Sequence, residues 1–236
     1  MHTKRISAGF GKYPKKLSTP RGPHKKDESF PLTYVIRDML KFADNSRETD
    51  KILREGNVLV DGRMIKDGNF GIGIMDVLSF PKINKHYRLV PSTIKSRNLL
   101  LKETSEEEAK FKLAKVTEKH IVKGNKIQIS TEDGYSFLIN KNDDNAKINT
   151  KDTIVFDISS KKKAIKEILK FKEGAIALII KGRNKGKEGK IVNITEGTKN
   201  IPSSTKVGDI ETSTEYVLVI GEETPLIQIT SLTPQP

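Results

Sequence analysis

The sequence predicts an α+β chain made of several small domains. Apolar side chains recur every three to four positions within residues 31–54, a helical period. From Val116 onward they fall instead in short runs, separated by turn signals at Gly124-Asn125, Asp133-Gly134 and Ser159-Ser160. The 236 residues are only 35% hydrophobic and 31% charged, too thin a supply for one large core.

Residues 1–26 have no period, with glycine and proline recurring between Gly9 and Pro23. They read as an extended basic arm that orders on a partner, with Lys4, Arg5, Lys12, Lys15, Lys16, Arg21, Lys25 and Lys26 placed to neutralise phosphates. Pro31 to Phe42 predicts a helix, with Pro31 in its first turn and Leu32, Val35, Ile36, Met39 and Leu40 on one stripe. Ser46 is expected to cap a second helix, Arg47 to Arg54, which Gly56 stops. There Arg47, Lys51 and Arg54 stand at i, i+4 and i+7, within a sector of roughly 60°, while Thr49, Ile52 and Leu53 face away. Val58 to Val60 predicts a strand, Asp61-Gly62 a hairpin turn, Met64-Ile65 the return, and Asp76 to Phe80 another strand.

Ser105-x-x-Glu108 has the form of a capping box, which predicts a helix through Lys115 with Glu106, Glu107 and Glu108 compensating its dipole. Ile127–Ile129, Phe137–Ile139 and Ile154–Ile158 are expected strands of a small barrel or sandwich. Ala175 to Ile180, Ile191 to Ile194, Tyr216 to Ile220 and Leu226 to Ile229 are expected strands of a last β unit. The resulting division is a basic arm at 1–26, an α+β domain at 27–85, a β-rich central domain with one helix at 86–172, and a final β domain at 173–236.

The net charge of +13 and a pI near 9.6 point to a polyanionic partner. The charge is unevenly placed. Residues 1–30 hold eight Lys/Arg against two Asp/Glu, and residues 174–195 hold five against one. Residues 31–80 are near neutral, so the case for Arg47, Lys51 and Arg54, with nearby Arg37, rests on placement; the plain alternative is a solvated amphipathic helix. With no cysteine, disulfides, thiolate zinc sites and cysteine nucleophiles are excluded. The four histidines lack metal-ligand spacing, no cofactor motif occurs, and nothing beside the glutamate run supplies a base or pocket. Met1 to Phe10 lacks the apolar stretch of a secretory signal, and no apolar run reaches the roughly 18–20 residues of a membrane span. A soluble, cytoplasmic, non-enzymatic protein without metal, cofactor or small-molecule substrate is expected.

The glycine-rich loop at 182–189 is not a P-loop, because three residues rather than four separate Gly182 from Gly186 and Glu188 follows Lys187. It reads as a hairpin loop whose Lys181, Arg183, Lys185 and Lys187 reach phosphates while glycines admit close backbone approach. Gly174, the apolar strand, Lys181-Gly182, Lys185-Gly186-Lys187, Gly189 and Ile191 resemble the KOW motif of ribosomal proteins and transcription elongation factors. Ser46-Arg47-Glu48, Lys51-Ile52-Leu53 and Gly56-x-Val58-x-Val60-Asp61-Gly62 resemble the RNA-binding domain named after bacterial ribosomal protein S-four, with Thr49 where that domain usually has alanine.

Taken in order with Gly22-Pro23-His24-Lys25-Lys26, Gly73-x-Met75-Asp76-Val77, Tyr87-Arg88-Leu89 and Glu106 to Leu113, these motifs are similar to the archaeal and eukaryotic ribosomal protein family S-four-e over nearly the whole chain. The arm departs from the family, matching at His2-Thr3-Lys4-Arg5 and then shortened, and without the basic C-terminal extension of eukaryotic members an archaeal-type form is expected. The resemblance implies an S-four-like domain, a central β domain and an SH3-like KOW barrel. It implies a structural constituent of the small ribosomal subunit, in contact with small-subunit ribosomal RNA and neighbouring proteins. The alternatives are an RNA-modifying enzyme that uses the S-four-like domain as a clamp, and a KOW-containing transcription or translation factor.

Overall fold

The computed structural model describes residues 20–93, 99–141, 147–160, 163–198 and 201–227. Over these residues the chain is mostly β with few helices. It packs as two compact units. One runs to Lys112 and takes in Asp157–Lys163; the other comprises Leu113–Phe156 and the chain from Ala164.

In the first unit, Phe30–Pro31 (β1) leads into a short α-helical turn, Leu32–Tyr34 (α1), continued by a π-helical stretch, Val35–Met39. The expected helix from Pro31 to Phe42 is therefore shorter and wider at its end. The Leu40 amide donates to the Val35 carbonyl five residues back, and Lys41 turns left-handed at φ 56°. Ser46–Arg54 (α2) follows, then Leu59–Val60 (β2), Arg63–Met64 (β3), Gly71–Ile72 (β4), Val77–Phe80 (β5), Lys85–Pro91 (β6) and Leu99–Thr104 (β7). The order β3-β2-β5-β6-β7 makes one antiparallel sheet, and β1 pairs with β4. The sheet thus runs through the expected boundary at residue 85. Leu32, Val35, Ile36, Leu53, Val58 and Leu78 form a core without solvent contact. At its edge Phe42 and Phe80 meet edge to face, 5.1 Å apart.

A charged cluster lies inside this unit. Lys112 is fully buried and donates to Asp61 at 2.8 Å and to Asp76. Asp76 also accepts from the Gly73 amide and pairs with His24, both at 2.8 Å. Burial pushes the Asp76 carboxyl up, but Lys112 and His24 outweigh it and hold the group below the ordinary carboxylate range. Arg88, also buried, caps the carbonyls of Glu108 at 2.6 Å and Phe111 at 2.8 Å; burial draws it down to about 10.

The second unit carries Phe111–Val122 (β8, which begins in the first), Lys126–Thr131 (β9), Ser136–Asn140 (β10), Thr153–Asp157 (β11) and Ile165–Leu169 (β12), in the order β10-β9-β8-β11-β12. Ile176–Ile179 (β13), Glu188–Thr195 (β14), Ser204–Val207 (β15), Ile210–Ser213 (β16) and Val217–Gly221 (β17) form a second sheet, in the order β16-β15-β14-β13-β17.

The helix expected from Ser105 to Lys115 is not formed. Ser105 Oγ accepts from the Glu108 amide at 3.3 Å, but only a single 3-10 turn, Glu108–Lys110, results before β8 begins. The residues from Lys112 to Val116 are buried without a break. Tertiary packing buries the segment on both faces as an extended strand, and a local cap cannot compete with that. Among its described residues the central segment therefore has no helix of the expected kind. Leu226 and Ile227 are not in a strand, and Gln228 and Ile229 lie outside the described residues.

Candidate nucleic-acid interface

The interface begins with the way α2 is closed. Asn45, not Ser46, is the cap: its Oδ1 accepts from the Glu48 amide at 2.9 Å, and Glu48 reaches back to the Asp44 amide at 2.8 Å. At the other end the Gly56 amide donates to Leu53 and the Asn57 amide to Ile52, with Gly56 at φ 75°. Thr49 and Leu53 are buried, so the helix is fixed in rotation. The side chains of Arg47, Lys51 and Arg54 are exposed on the opposite side and make no hydrogen bond or ion pair with any described residue.

Arg37 comes from the π-helical stretch and sits against the start of α2, donating to Ser46 Oγ at 2.9 Å. Its guanidinium is also engaged by Asp38 at 2.6 Å, which holds its pKa above the usual arginine value. Arg37 and Arg54 line the same cleft, with Lys66 on the turn that carries Gly68 and Asn69. Lys66 is not among the cations the sequence points to; its signal is the Lys66-Asp67-Gly68-Asn69 turn after a hairpin return.

Lys4, Arg5, Lys12, Lys15 and Lys16 lie outside the described residues. The end of the arm is fastened to its own unit. Arg21 exchanges backbone hydrogen bonds with Asn69 and Gly71 at 2.8 and 2.7 Å, and His24 covers Gly73 so closely that a Cβ there would fall 2.3 Å from Nδ1. Arg21, Lys25 and Lys26 are exposed on this docked segment. The arm's last residues are thus ordered without a partner, because the His24–Asp76 pair anchors them.

In the second unit the 181–187 loop divides its cations. Lys181 is mostly buried and paired with Glu132 at 2.6 Å, so its ammonium is engaged within the unit. Lys185 is half-buried, and burial lowers its pKa. Arg183 and Lys187 are exposed, Lys187 touching Asn184 Oδ1 at 3.3 Å. Lys115, a neighbour in sequence of the expected capping box, is also internal. It donates to the carbonyls of Thr214, Glu215 and Val217 at 2.9–3.0 Å, and burial takes it down to about 8.

Among the described residues no group of His, Cys, Asp and Glu could hold a metal ion, and no helix is long and apolar enough to cross a membrane. What the geometry offers is a rigid helix with three unpaired cations on one face, beside a cleft with a fourth.

The family model for ribosomal family S4e matches residues 83–163, and that for the KOW motif matches residues 173–203. The small ribosomal subunit protein eS4 of Desulfurococcus amylolyticus is 38% identical over 215 residues, 88% of this chain and 84% of the relative. That of Methanosphaera stadtmanae is 40% identical over 89% of this chain and 86% of the relative. The chain belongs to the S4e family. The crystal structure of 30S ribosomal protein S4e from Thermoplasma acidophilum has the same fold, with a TM-score of 0.69 at 32% identity over 83% of this chain and 96% of that one. The segment matched to the S4e family holds the buried cations Arg88, Lys112 and Lys115, and the KOW match holds the 181–187 loop. The α2 face lies outside both.

Proposed function

We propose that this chain is a structural constituent of the small ribosomal subunit that binds ribosomal RNA through basic surface patches and has no catalytic role. The observation that carries the RNA contact is the face of α2, where Arg47, Lys51 and Arg54 stand exposed and unpaired on a helix capped at both ends. Cations held on a rigid element, with no carboxylate of their own to satisfy, are suited to phosphates spaced along a polynucleotide. Arg183 and Lys187 offer a second patch, and the arm with Arg21, Lys25 and Lys26 a third. RNA shape then supplies the selectivity. Small-subunit proteins are the expected neighbours, and the cytoplasm, in the ribosome, the expected place.

In this reading residues 1–26 are a basic arm, 27–85 an S-four-like RNA-binding module, 86–172 a β-rich centre and 173–236 a KOW module with an SH3-like barrel. These are functional modules, and the two compact units cut across them. The names of the relatives favour the ribosomal reading over an RNA-modifying enzyme or a transcription factor.

The test is where the protein travels. In a sucrose gradient of native lysate at moderate salt, the chain is expected to sediment with small subunits at near one copy each. Recovery in the light fractions at the same salt would overturn the assignment.

A further inference from the structure

Arg54 belongs to two surfaces at once. It ends the basic face of α2, and it lines a cleft of about 430 Å³ whose other walls include Pro31, Tyr34, Asp50, Lys66 and Asn69. This volume falls within the range of small-ligand sites. Arg54, Lys66 and Asp50 share the cleft, yet none makes a hydrogen bond or ion pair with any described residue. Arg37 is already engaged by Asp38 and Ser46, so it forms wall rather than contact. Tyr34 is held by its packing on Phe30, with ring centroids 5.7 Å apart, and with Pro31 it gives the cleft its apolar side.

Two unpaired cations and one unpaired carboxylate around the same space call for a ligand that carries an anion and hydrogen-bond donors together. A peptide carboxylate would suit Arg54 and Lys66 but set an acid against Asp50, and a lysine side chain would do the reverse. One nucleotide supplies both groups, plus a flat apolar face for Tyr34 and Pro31. We propose that this cleft takes a single unstacked nucleotide of the bound RNA, its phosphate against Arg54 and Lys66, its base against Tyr34 and Pro31, and its Watson–Crick edge donating to Asp50. A carboxylate is best satisfied by two adjacent donors, which guanine alone presents through N1–H and N2–H. The cleft therefore prefers guanine. The assignment rests on the RNA-binding reading and deepens it: the α2 face holds the backbone, and the cleft selects a nucleotide displaced from the stack.

The test uses the full chain and two families of RNA hairpin, one with an uninterrupted stem and one with a single bulged nucleotide of each base in turn. Fluorescence anisotropy is expected to show the guanine bulge binding about tenfold more tightly than the uninterrupted stem, in keeping with the gain from one stacked base. Asp50→Ala should remove the preference for guanine, and Lys66→Ala should remove the gain from the bulge. Both side chains are exposed, and circular dichroism checks that the variants fold. Equal binding of bulged and uninterrupted stems, or a bulge preference unchanged in Asp50→Ala, would overturn the cleft and leave the general RNA contact standing. Binding of neither hairpin would overturn both.

Discussion

Lys112 and Asp61 meet at 2.8 Å inside the first unit, 51 residues apart in sequence and both out of water. Asp76 shares the same ammonium. One buried cation thus balances two buried carboxylates, and His24 satisfies the remaining oxygen of Asp76 from the docked end of the arm. Replacing Lys112 by methionine removes the ammonium that both carboxylates share. The expected loss is about 3–5 kcal/mol, the cost of breaking a buried pair on one side only. It would be read as a lower urea midpoint, and an unchanged midpoint would contradict the pairing.

The same cluster gives the fold an acid limb. The pKa of Asp76 lies below its unfolded value near about 3.9. Its contribution is therefore present above about pH 4 and lost as pH falls through the folded value. Urea midpoints should hold near neutrality and decline below about pH 4. Asp76→Asn should start from a lower midpoint and show a shallower decline, since that proton is no longer taken up.

Truncating Arg47, Lys51 and Arg54 together to alanine should weaken RNA binding and leave far-ultraviolet circular dichroism unchanged, because no described residue depends on them. Loss of three phosphate contacts should reduce the slope of log affinity against log salt by about 2. A slope equal to that of the unaltered chain would show that this face does not touch RNA.

The 181–187 loop separates stability from binding. Lys181→Ala removes the pair with Glu132 and should cost about 1–2 kcal/mol of stability with little change in RNA affinity. Arg183→Ala with Lys187→Ala should do the opposite. Salt-dependent titration and thermal melting of both variants would show whether the division holds.

What the sequence made legible was local. The α2 helix, its basic face and the Asp61-Gly62 turn come from spacing and turn chemistry within about twenty residues, and most strands between 127 and 194 come from apolar runs. Lys112, Lys115 and Lys181 were illegible as internal groups. Their partners lie 36 to 102 residues away, and a lysine destined for the interior has the same local sequence signature as one destined for solvent. The Ser105 capping box misled for the same reason: the cap forms, but strand pairing sets the conformation of the residues after it. Strands β15 and β16 escaped notice because Ser204–Val207 and Ile210–Ser213 are largely polar. The cleft escaped because Asp50 and Lys66 come from different elements and only folding brings them together.

Buried lysines also make the protein a record of its own folding. Amine-acylating reagents modify lysines according to their contact with water, and Lys112 and Lys115, at 0% and 7% exposure, are shielded in the folded chain. Lys112 belongs to the first unit and Lys115 to the second. After a brief acylation pulse during refolding, peptide mass spectrometry would date the closure of each unit separately. The chain needs no added label, because each unit already carries a buried amine.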